Sequence, residues 1–257
     1  MTTVRVEDRE GGIRLLTLDR PPANAIEEAL LSDLSAALDD ARSDDAVRAL
    51  VLTGSGRFFS GGLDLNAARR DDQFPARRLD LYRGAHVRLL SLPKPTIAMM
   101  NGHAIAGGLV LVVACDYRLG VDGDYRIGLN EVAIGASYPK VAFEIVRLRL
   151  THARASELLL GAALYPASEA VRLGVVDELL SPGVFEETVM RRAARLGAFP
   201  REAYAHTKAA LVAEAVARVE AESAEEAERG AAVWTTPESR AALVAQQEKL
   251  GKGRVSE

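Results

Sequence analysis

Short apolar runs of strand length alternate with amphipathic helical stretches over the first 180 residues, and few fold classes accommodate that alternation. The predicted strands are 13–18, 49–53, 96–100 and 116–121, and the predicted helices are 27–42, 77–90 and 109–114. Strands follow a period of two and amphipathic helices a period near 3.6, so a chain that alternates them packs helices against a sheet. We therefore expect residues 1–182 to form one α/β domain.

The character of the sequence changes after Ser181-Pro182-Gly183. The remainder is rich in Ala, Glu and Arg and has almost no strand signal. Residues 204–228 and 237–250 are predicted to be helices. The sequence thus predicts a C-terminal helical region over residues 183–257, packed as an appendage or across a subunit boundary.

Composition and termini narrow the class of protein. The chain has 257 residues, 48% hydrophobic content and a net charge of -4, so it can bury a substantial core and gives no global reason to bind nucleic acid or an anionic membrane. Its longest apolar run, Ile105 to Cys115, is far too short to span a bilayer, and the first residues lack a signal pattern. We expect a cytoplasmic protein whose one cysteine, Cys115, is a buried inert thiol.

Several familiar motifs fail on inspection. Gly54-Ser55-Gly56-Arg57-Phe58-Phe59 lacks the final glycine of a dinucleotide fingerprint, and the surroundings of Ser60 are not those of a hydrolase nucleophile. The histidines show no paired metal spacing with cysteine or carboxylate, so no metal site is expected. His86 and His152 are interpreted as ordinary surface or helix residues.

Two glycine pairs carry more information together than either does alone. Gly61-Gly62 and Gly107-Gly108 each follow a predicted strand, and the second pair opens an apolar helix. The first turn of a helix offers bare backbone N–H groups to an anion. Glu131 follows about twenty residues later and supplies a carboxylate that could move a proton. Such a pairing is suited to forming and stabilising an enolate.

Several segments follow one another along the chain in a characteristic order: Arg20-Pro21-Pro22-Ala23-Asn24-Ala25-Ile26, residues 52–65, residues 94–108, Cys115-Asp116-Tyr117-Arg118, residues 170–177 and Thr207-Lys208. In this order, and over nearly the whole chain, they resemble the signatures of the crotonase family, the enoyl-CoA hydratase/isomerase superfamily. The resemblance implies a spiral of ββα repeats with a C-terminal helical region, assembled as a trimer or a dimer of trimers. It also implies an acyl-CoA thioester as substrate, so that coenzyme A is part of the substrate and no separate cofactor is expected.

Site residues follow from the resemblance by position. The backbone N–H groups of Leu63 and Gly107 correspond to the two donors of the family's oxyanion hole. Ala25, Leu63 and Leu65 correspond to the backbone positions that hold the adenine. Asp64 lies in the same CoA-binding segment and is interpreted as a cap or turn residue rather than as a base.

The carboxylates depart from the hydratase pattern. Hydratases of this family have a glutamate three residues after the donor glycine, where this chain has Val110, and a second glutamate that corresponds to Glu131. Hydration needs an ordered, activated water as well as a proton donor, whereas moving a double bond from the 3,4 to the 2,3 position needs one base. We rank a Δ3,Δ2-enoyl-CoA isomerase first, a hydratase second and a non-catalytic acyl-CoA binder third. A peptidase on a related spiral fold would require a serine-histidine-aspartate set that these positions do not supply.

Three further expectations concern the surroundings of Glu131. Apolar neighbours such as Val110, Val132 and Ile134 should raise the pKa of its carboxyl toward neutrality. Tyr138 stands where hydratases commonly have a glycine-rich turn, and the sequence leaves open whether it shapes an acyl pocket or fills space. His103 is interpreted as a hydrogen-bonded structural histidine.

Overall fold

The computed structural model describes residues 2–64 and 76–253, which form two sheets and their covering helices. The strands, in chain order, are β1 (Val4–Arg9), β2 (Ile13–Leu18), β3 (Ala49–Gly54), β4 (Phe58–Ser60), β5 (Thr96–Met100), β6 (His103–Ile105), β7 (Tyr117–Val121), β8 (Arg126–Gly128), β9 (Tyr165–Pro166) and β10 (Glu178–Leu180). Every residue of β2, β3 and β5 is buried, as expected for strands covered on both faces.

The larger sheet has the strand order β1-β2-β3-β5-β7-β10, and the smaller has the order β4-β6-β8-β9. In the larger sheet β1 pairs antiparallel with β2, and the other pairs are parallel. In the smaller sheet β4, β6 and β8 run parallel, and β9 is antiparallel to β8. Because β3, β5 and β7 of the larger sheet are each followed by a short strand of the smaller one, the ends of β4, β6 and β8 are brought side by side.

The helices surround these sheets. In chain order they are α1 (Glu28–Ser43), α2 (Ala76–Leu90), α3 (Gly107–Ala114), α4 (Lys140–Arg149), α5 (His152–Gly161), α6 (Phe185–Gly197), α7 (Arg201–Glu220), α8 (Ala224–Val233) and α9 (Pro237–Gly253), with 3₁₀ turns at Val132–Ile134 and Ala167–Glu169. No helix of the described residues is long and apolar enough to cross a bilayer.

The hydrophobic core has a large and a small layer on opposite faces of the larger sheet. The large layer includes the apolar residues of α1 to α5, and all eight residues of α3 are buried in or beside it. The small layer consists of outward-facing residues of the strands packed against Phe185, Val189, Ala193 and Leu196 of α6. The predicted division of the chain at residue 182 stays a prediction. Helix α6, which follows that position in the chain, packs against the larger sheet.

The predicted strands and helices of the first 121 residues agree with the structure to within two residues at each end. The predicted helix 204–228 is wrong in one respect, because two helices, α7 and α8, meet there. The predicted helix is interrupted at Ser223. The Ser223 side chain accepts a hydrogen bond from the Glu226 N–H, and the Glu226 carboxylate accepts one from the Ser223 N–H. This reciprocal capping box starts a new helix.

Candidate active site

The two glycine-containing segments lie against each other where β4 and β6 end. The strands pair in parallel, with Phe58 opposite His103 and Ser60 opposite Ala104. A Cβ built on Gly62 would lie 2.8 Å from the Ala106 Cβ and 3.3 Å from the Gly107 nitrogen. Gly62 also has a φ of +81°, a left-handed conformation that disfavours side chains. Glycine is therefore required here by both conformation and space.

Local hydrogen bonding leaves the N–H groups of Leu63 and Gly107 unused. A parallel bridge joins Ile26 to Leu63, in which the Ile26 N–H donates to the Gly62 carbonyl and the Asp64 N–H donates to the Ile26 carbonyl. This pattern turns the Leu63 N–H away from the bridge. Gly107 is the first residue of α3, so its N–H has no partner within the helix. Neither N–H finds an acceptor among residues 2–64 and 76–253.

Glu131 reaches the same cleft from the next strand of the smaller sheet. β8 pairs with β6, and the Ala106 N–H donates to the Gly128 carbonyl over 2.8 Å, which places the residues after β8 beside the start of α3. Tyr82 connects the two sides: its hydroxyl lies 3.1 Å from where a Gly107 Cβ would be, and the charge of Glu131 adds to burial in raising the Tyr82 pKa. The structure thus brings Leu63, Gly107 and Glu131 together, and we call this arrangement the cleft.

The Glu131 carboxyl is buried and incompletely hydrogen-bonded. The residue is 6% exposed, and its Oε2 has no hydrogen-bond partner within the part of the chain that the structure describes. Burial raises the pKa of Glu131 to about 7, against smaller lowering effects of its own backbone and the Tyr138 hydroxyl. Desolvation disfavours the charged form and stabilises the protonated one. The carboxyl is therefore able to exchange a proton near neutral pH.

Tyr82 and His86 form a buried wall of the cleft that the sequence did not reveal. Their rings stack with centroids 3.9 Å apart, and His86 Nδ1 lies 2.8 Å from the Tyr82 carbonyl oxygen. The interpretation of His86 as an ordinary surface or helix residue is wrong as to surface, because the side chain is fully buried and burial lowers its pKa to about 4. In the sequence, Tyr82 and His86 are four residues apart and therefore lie on one face of a helix. That spacing does not show whether the face packs into the core or lines a cleft.

Tyr138 stands between Glu131 and a cavity. Its hydroxyl lies 3.2 Å from the carbonyl oxygens of both Leu129 and Leu159. The cavity beyond it, about 610 Å³ in volume, lies between α2, the start of α4 and the α7–α8 corner, with Leu79, Val141 and Trp234 among its apolar lining. Tyr138 thus contributes to a pocket wall and is not merely filling space.

Other predicted site residues have mostly structural contacts. His103 Nδ1 accepts a hydrogen bond from the Arg126 N–H over 3.0 Å, and its ring stacks on Phe58, so its structural interpretation agrees with the geometry. Asp64 forms an ion pair with Arg20 at 2.7 Å, and the Ala25 carbonyl accepts from the same guanidinium. Leu65 lies outside the described residues.

Val110 is fully buried in the core layer of α3. Its position therefore supplies no acid or base beside Glu131. The described residues contain no group of three or more histidine, cysteine, aspartate or glutamate side chains that could hold a metal ion. Cys115 is buried, as expected, and burial raises its pKa to about 12.

A family model and a sequence relative each match most of this chain. The family model described as enoyl-CoA hydratase/isomerase matches residues 8–252. A protein of Thermus thermophilus described as a putative enoyl-CoA hydratase is 38% identical over 184 residues, which cover 69% of this chain and 72% of that protein.

Solved structures of two proteins resemble the fold closely. A Mycobacterium tuberculosis protein described as an enoyl-CoA isomerase in its apo form has 34% sequence identity and a TM-score of 0.77, covering 86% of this chain and 95% of that one. A second structure of the same protein describes it as a probable enoyl-CoA hydratase. Human mitochondrial Δ3-Δ2-enoyl-CoA isomerase has a TM-score of 0.89 at 24% identity, covering 98% and 99% of the two chains, and at that identity the likeness concerns the fold. The predicted crotonase-like α/β fold with a C-terminal helical region is confirmed.

Proposed function

Because this chain belongs to the enoyl-CoA hydratase/isomerase family, we propose that it moves the double bond of a 3-enoyl-CoA to the 2-position, with Glu131 as its single base. The observation that carries this proposal is the combination of one buried carboxyl beside two unused N–H groups with a valine at position 110. Coenzyme A enters as part of the substrate, as the resemblance implies.

The proposed reaction begins with the thioester oxygen between the Leu63 and Gly107 N–H groups. Glu131 takes a proton from C2, and the C2–H electron pair moves into the conjugated system, so negative charge collects on the thioester oxygen of a dienolate. The Leu63 and Gly107 donors stabilise that charge; in acyl-transfer enzymes the loss of one such donor costs about 3 kcal/mol. The protonated Glu131 then returns the proton to C4, which leaves the double bond between C2 and C3.

The pKa of Glu131, about 7, suits both halves of this cycle. A carboxyl with an ordinary pKa would be a weak base toward C2, whereas one far above neutrality would be protonated before substrate arrives. Below pH 7 the resting carboxyl becomes increasingly protonated, so kcat/KM should fall as the pH drops through that value.

Hydration is the second candidate, favoured by the Thermus thermophilus relative described as a putative hydratase. It would require Glu131 both to orient and to activate a water molecule without a second carboxyl. The buried Val110 can neither accept nor donate a hydrogen bond for this purpose. We therefore place hydration after isomerisation.

Separate assays with a 3-enoyl-CoA and a trans-2-enoyl-CoA test this ranking. We expect the wild type to isomerise the first rapidly and to hydrate the second slowly, and Glu131→Gln to lose the isomerisation. Glu144→Gln is the matched control, because Glu144 is also buried but pairs with Arg218 and Arg147. Rapid hydration by the wild type would reverse the ranking, and CoA-thioester binding without turnover of either substrate would favour the acyl-CoA binder.

A further inference from the structure

We propose that Tyr138 is a positioning residue whose hydroxyl donates to the Glu131 carboxylate and turns back to a backbone carbonyl when Glu131 holds a proton. The proposal rests on the proposed function of Glu131 as the base. Tyr138 would thereby stabilise both the ionised and the protonated form of Glu131 during the proposed proton transfer.

The first observation is a hydroxyl with more acceptors than hydrogens. The Tyr138 hydroxyl lies 3.2 Å from the Leu129 carbonyl and 3.2 Å from the Leu159 carbonyl. A phenol has one hydrogen, so it donates to one carbonyl at a time, and 3.2 Å is long for an O–H···O bond. Neither carbonyl holds the hydrogen firmly. Rotation about the phenolic C–O bond redirects the hydrogen without moving the ring.

The second observation is the unpartnered carboxyl oxygen of Glu131. Oε2 is buried without a hydrogen-bond partner among the described residues, and Leu129, whose carbonyl Tyr138 contacts, lies two residues before it. An ionised carboxylate attracts a donor more strongly than a neutral carbonyl does. The hydrogen should therefore turn to Glu131 when it is ionised. Once Glu131 has taken the substrate proton, the hydrogen returns to a carbonyl and the phenolic oxygen is free to accept from the carboxylic acid.

The remaining groups that face Glu131 do not duplicate this role. Tyr82 on α2 feels the Glu131 charge, but its hydroxyl lies against Gly107. Ile134 packs with Trp234, Leu63 and Leu243, and Ser239 of α9 lies against Gly135. The neighbouring side chains of Tyr82, Ile134 and Ser239 are thus uncharged. Apart from the backbone of Glu131 itself, Tyr138 is the neighbour that lowers the Glu131 pKa, against the larger raising effect of burial.

Tyr138→Phe is the direct test, because it removes the hydroxyl and keeps the ring that lines the cavity. The Glu131 carboxyl is titrated by ¹³C NMR of protein labelled at the glutamate carboxyl carbons, and its signal is assigned by its absence in Glu131→Gln. We expect Tyr138→Phe to raise the pKa of Glu131 by about one unit. An unchanged or lowered pKa in a variant that melts normally would overturn the proposal.

Tyr125→Phe is the matched control. Its hydroxyl is also largely buried and donates to a backbone carbonyl, that of Val121, but its ring lies beside His103 rather than Glu131. The Glu131 titration should be the same as in the wild type. A shift of equal size in both variants would show a general effect of losing a buried phenol and would also overturn the proposal.

Kinetics separate this inference from the proposed function. If the wild type isomerises 3-enoyl-CoA, Tyr138→Phe should lower kcat about tenfold with little change in KM, and the acidic limb of its pH profile should move to higher pH with the NMR titration. A change in KM and in acyl-chain preference without a movement of that limb would reduce Tyr138 to a pocket wall. If the wild type does not isomerise, the proposed function fails, yet the NMR titration still reports whether Tyr138 controls Glu131.

Discussion

The cleft and a second buried cluster treat a carboxylate in opposite ways. The second cluster, which we call the Asp116 junction, consists of Thr96, Asp116, Arg149, Tyr204 and Lys208. Glu131 in the cleft has an Oε2 without a partner, whereas Asp116 Oδ2 accepts from Thr96, Tyr204 and Lys208, and Oδ1 accepts from Arg149. Both side chains are nearly inaccessible to water.

The difference separates a carboxylate that holds the fold together from one that is available for chemistry. Donors at the Asp116 junction come from β5, α4 and α7, so the junction joins the sheet to the C-terminal helical region. Burying a charge is costly unless it is paired and hydrogen-bonded, and here four residues offset the cost. In the cleft, the desolvation cost of ionised Glu131 is not offset by such donors. The N–H groups of Leu63 and Gly107 are likewise unpaired there. An unsatisfied site of this kind is what a substrate could complete.

Glu131→Gln should have the largest effect, because it removes the proposed base while keeping the shape of the side chain. We expect kcat for isomerisation to fall by about 10²- to 10⁴-fold, the usual contribution of a positioned general base. Stopped assays with a 3-enoyl-CoA, at matched concentrations of folded protein, measure the loss. Turnover within about twofold of wild type would show that Glu131 is not the base. The contrast between a catalytic Glu131 and a structural Asp116 would then fail.

Asp116→Asn tests the structural side and should produce the opposite pattern. The substitution leaves Lys208 and Arg149 buried without a full countercharge, which should lower the free energy of unfolding by about 3 kcal/mol. Urea unfolding followed by circular dichroism measures this. Because Asp116 lies outside the cleft, kcat of the remaining folded protein should be unchanged. A large loss of kcat without a loss of stability would show that the two regions are not distinct in role.

The sequence predicted four strands of the larger sheet, β2, β3, β5 and β7, from periodicity, whereas the roles of Leu63, Gly107 and Glu131 rest on the family resemblance. The periodicity of Ile13–Leu18 or Glu28–Ser43 is a local property of consecutive residues. Glycine is required at positions 62 and 108 because the backbone of the neighbouring segment lies too close for a side chain. The periodicity and the presence of these glycines are legible in a single chain without knowledge of what packs against them.

The role of an individual polar residue is not legible in that way. Asp116 and Glu131 are both carboxylates that closely follow a secondary-structure segment, and what distinguishes them is the set of donors brought by β5, α4 and α7 from as far as Lys208. The burial of His86 is not legible for the same reason: its position on a helix is a local property, but its burial depends on packing against α3. The break between α7 and α8 depends on one serine and one glutamate, which a long alanine-rich helical pattern conceals.

The pH dependence of stability sharpens the comparison further. Burial raises the folded-state pKa of Glu131 to about 7, above its ordinary value of 4.5. The folded state therefore binds the proton more tightly than the unfolded state does. Its stabilising contribution is complete below about pH 4.5 and is lost as the pH rises to 7. His86 contributes the opposite change over nearly the same window, because burial lowers its folded-state pKa to about 4 from 6.5. The contribution of Glu131 is therefore read from the stability of the wild type relative to that of Glu131→Gln.

Relative to Glu131→Gln, the wild type should lose stability as the pH rises through this window. The difference between the folded-state and ordinary pKa values of Glu131 corresponds to about 3 kcal/mol, and glutamine has no proton to lose. Urea midpoints for the two proteins, measured between pH 4.5 and 8, give the difference. Parallel curves would mean that Glu131 titrates alike in the folded and unfolded chains, and the unsatisfied state of the cleft would then have no thermodynamic signature.

Two glycine variants provide the smallest expected effect and the closest control. Gly62 and Gly56 have φ values of +81° and +68°, so alanine is strained at both. Their surroundings differ: a Cβ at Gly62 would come within 2.8 Å of Ala106 Cβ and the Ile105 carbonyl oxygen, whereas a Cβ at Gly56 would meet nothing within 4 Å. Each substitution should lower stability, by about 1 kcal/mol at Gly56 from the conformation alone. Gly62→Ala must also displace the backbone between Leu63 and Gly107.

Turnover should therefore separate the two variants where conformational strain does not. We expect Gly62→Ala to lower kcat by about 10- to 100-fold, because the N–H groups of Leu63 and Gly107 no longer point to the same thioester oxygen. Gly56→Ala should leave kcat unchanged. Both are measured with a 3-enoyl-CoA at a temperature well below either melting transition. Equal losses of kcat in the two variants would show that the effect comes from straining any residue with a left-handed backbone conformation, and not from the position of Gly62 beside the N–H groups. Unchanged turnover in Gly62→Ala would mean that the alignment of these donors does not limit the reaction, and the unused N–H groups would then have to be explained by something other than the chemistry of the thioester oxygen.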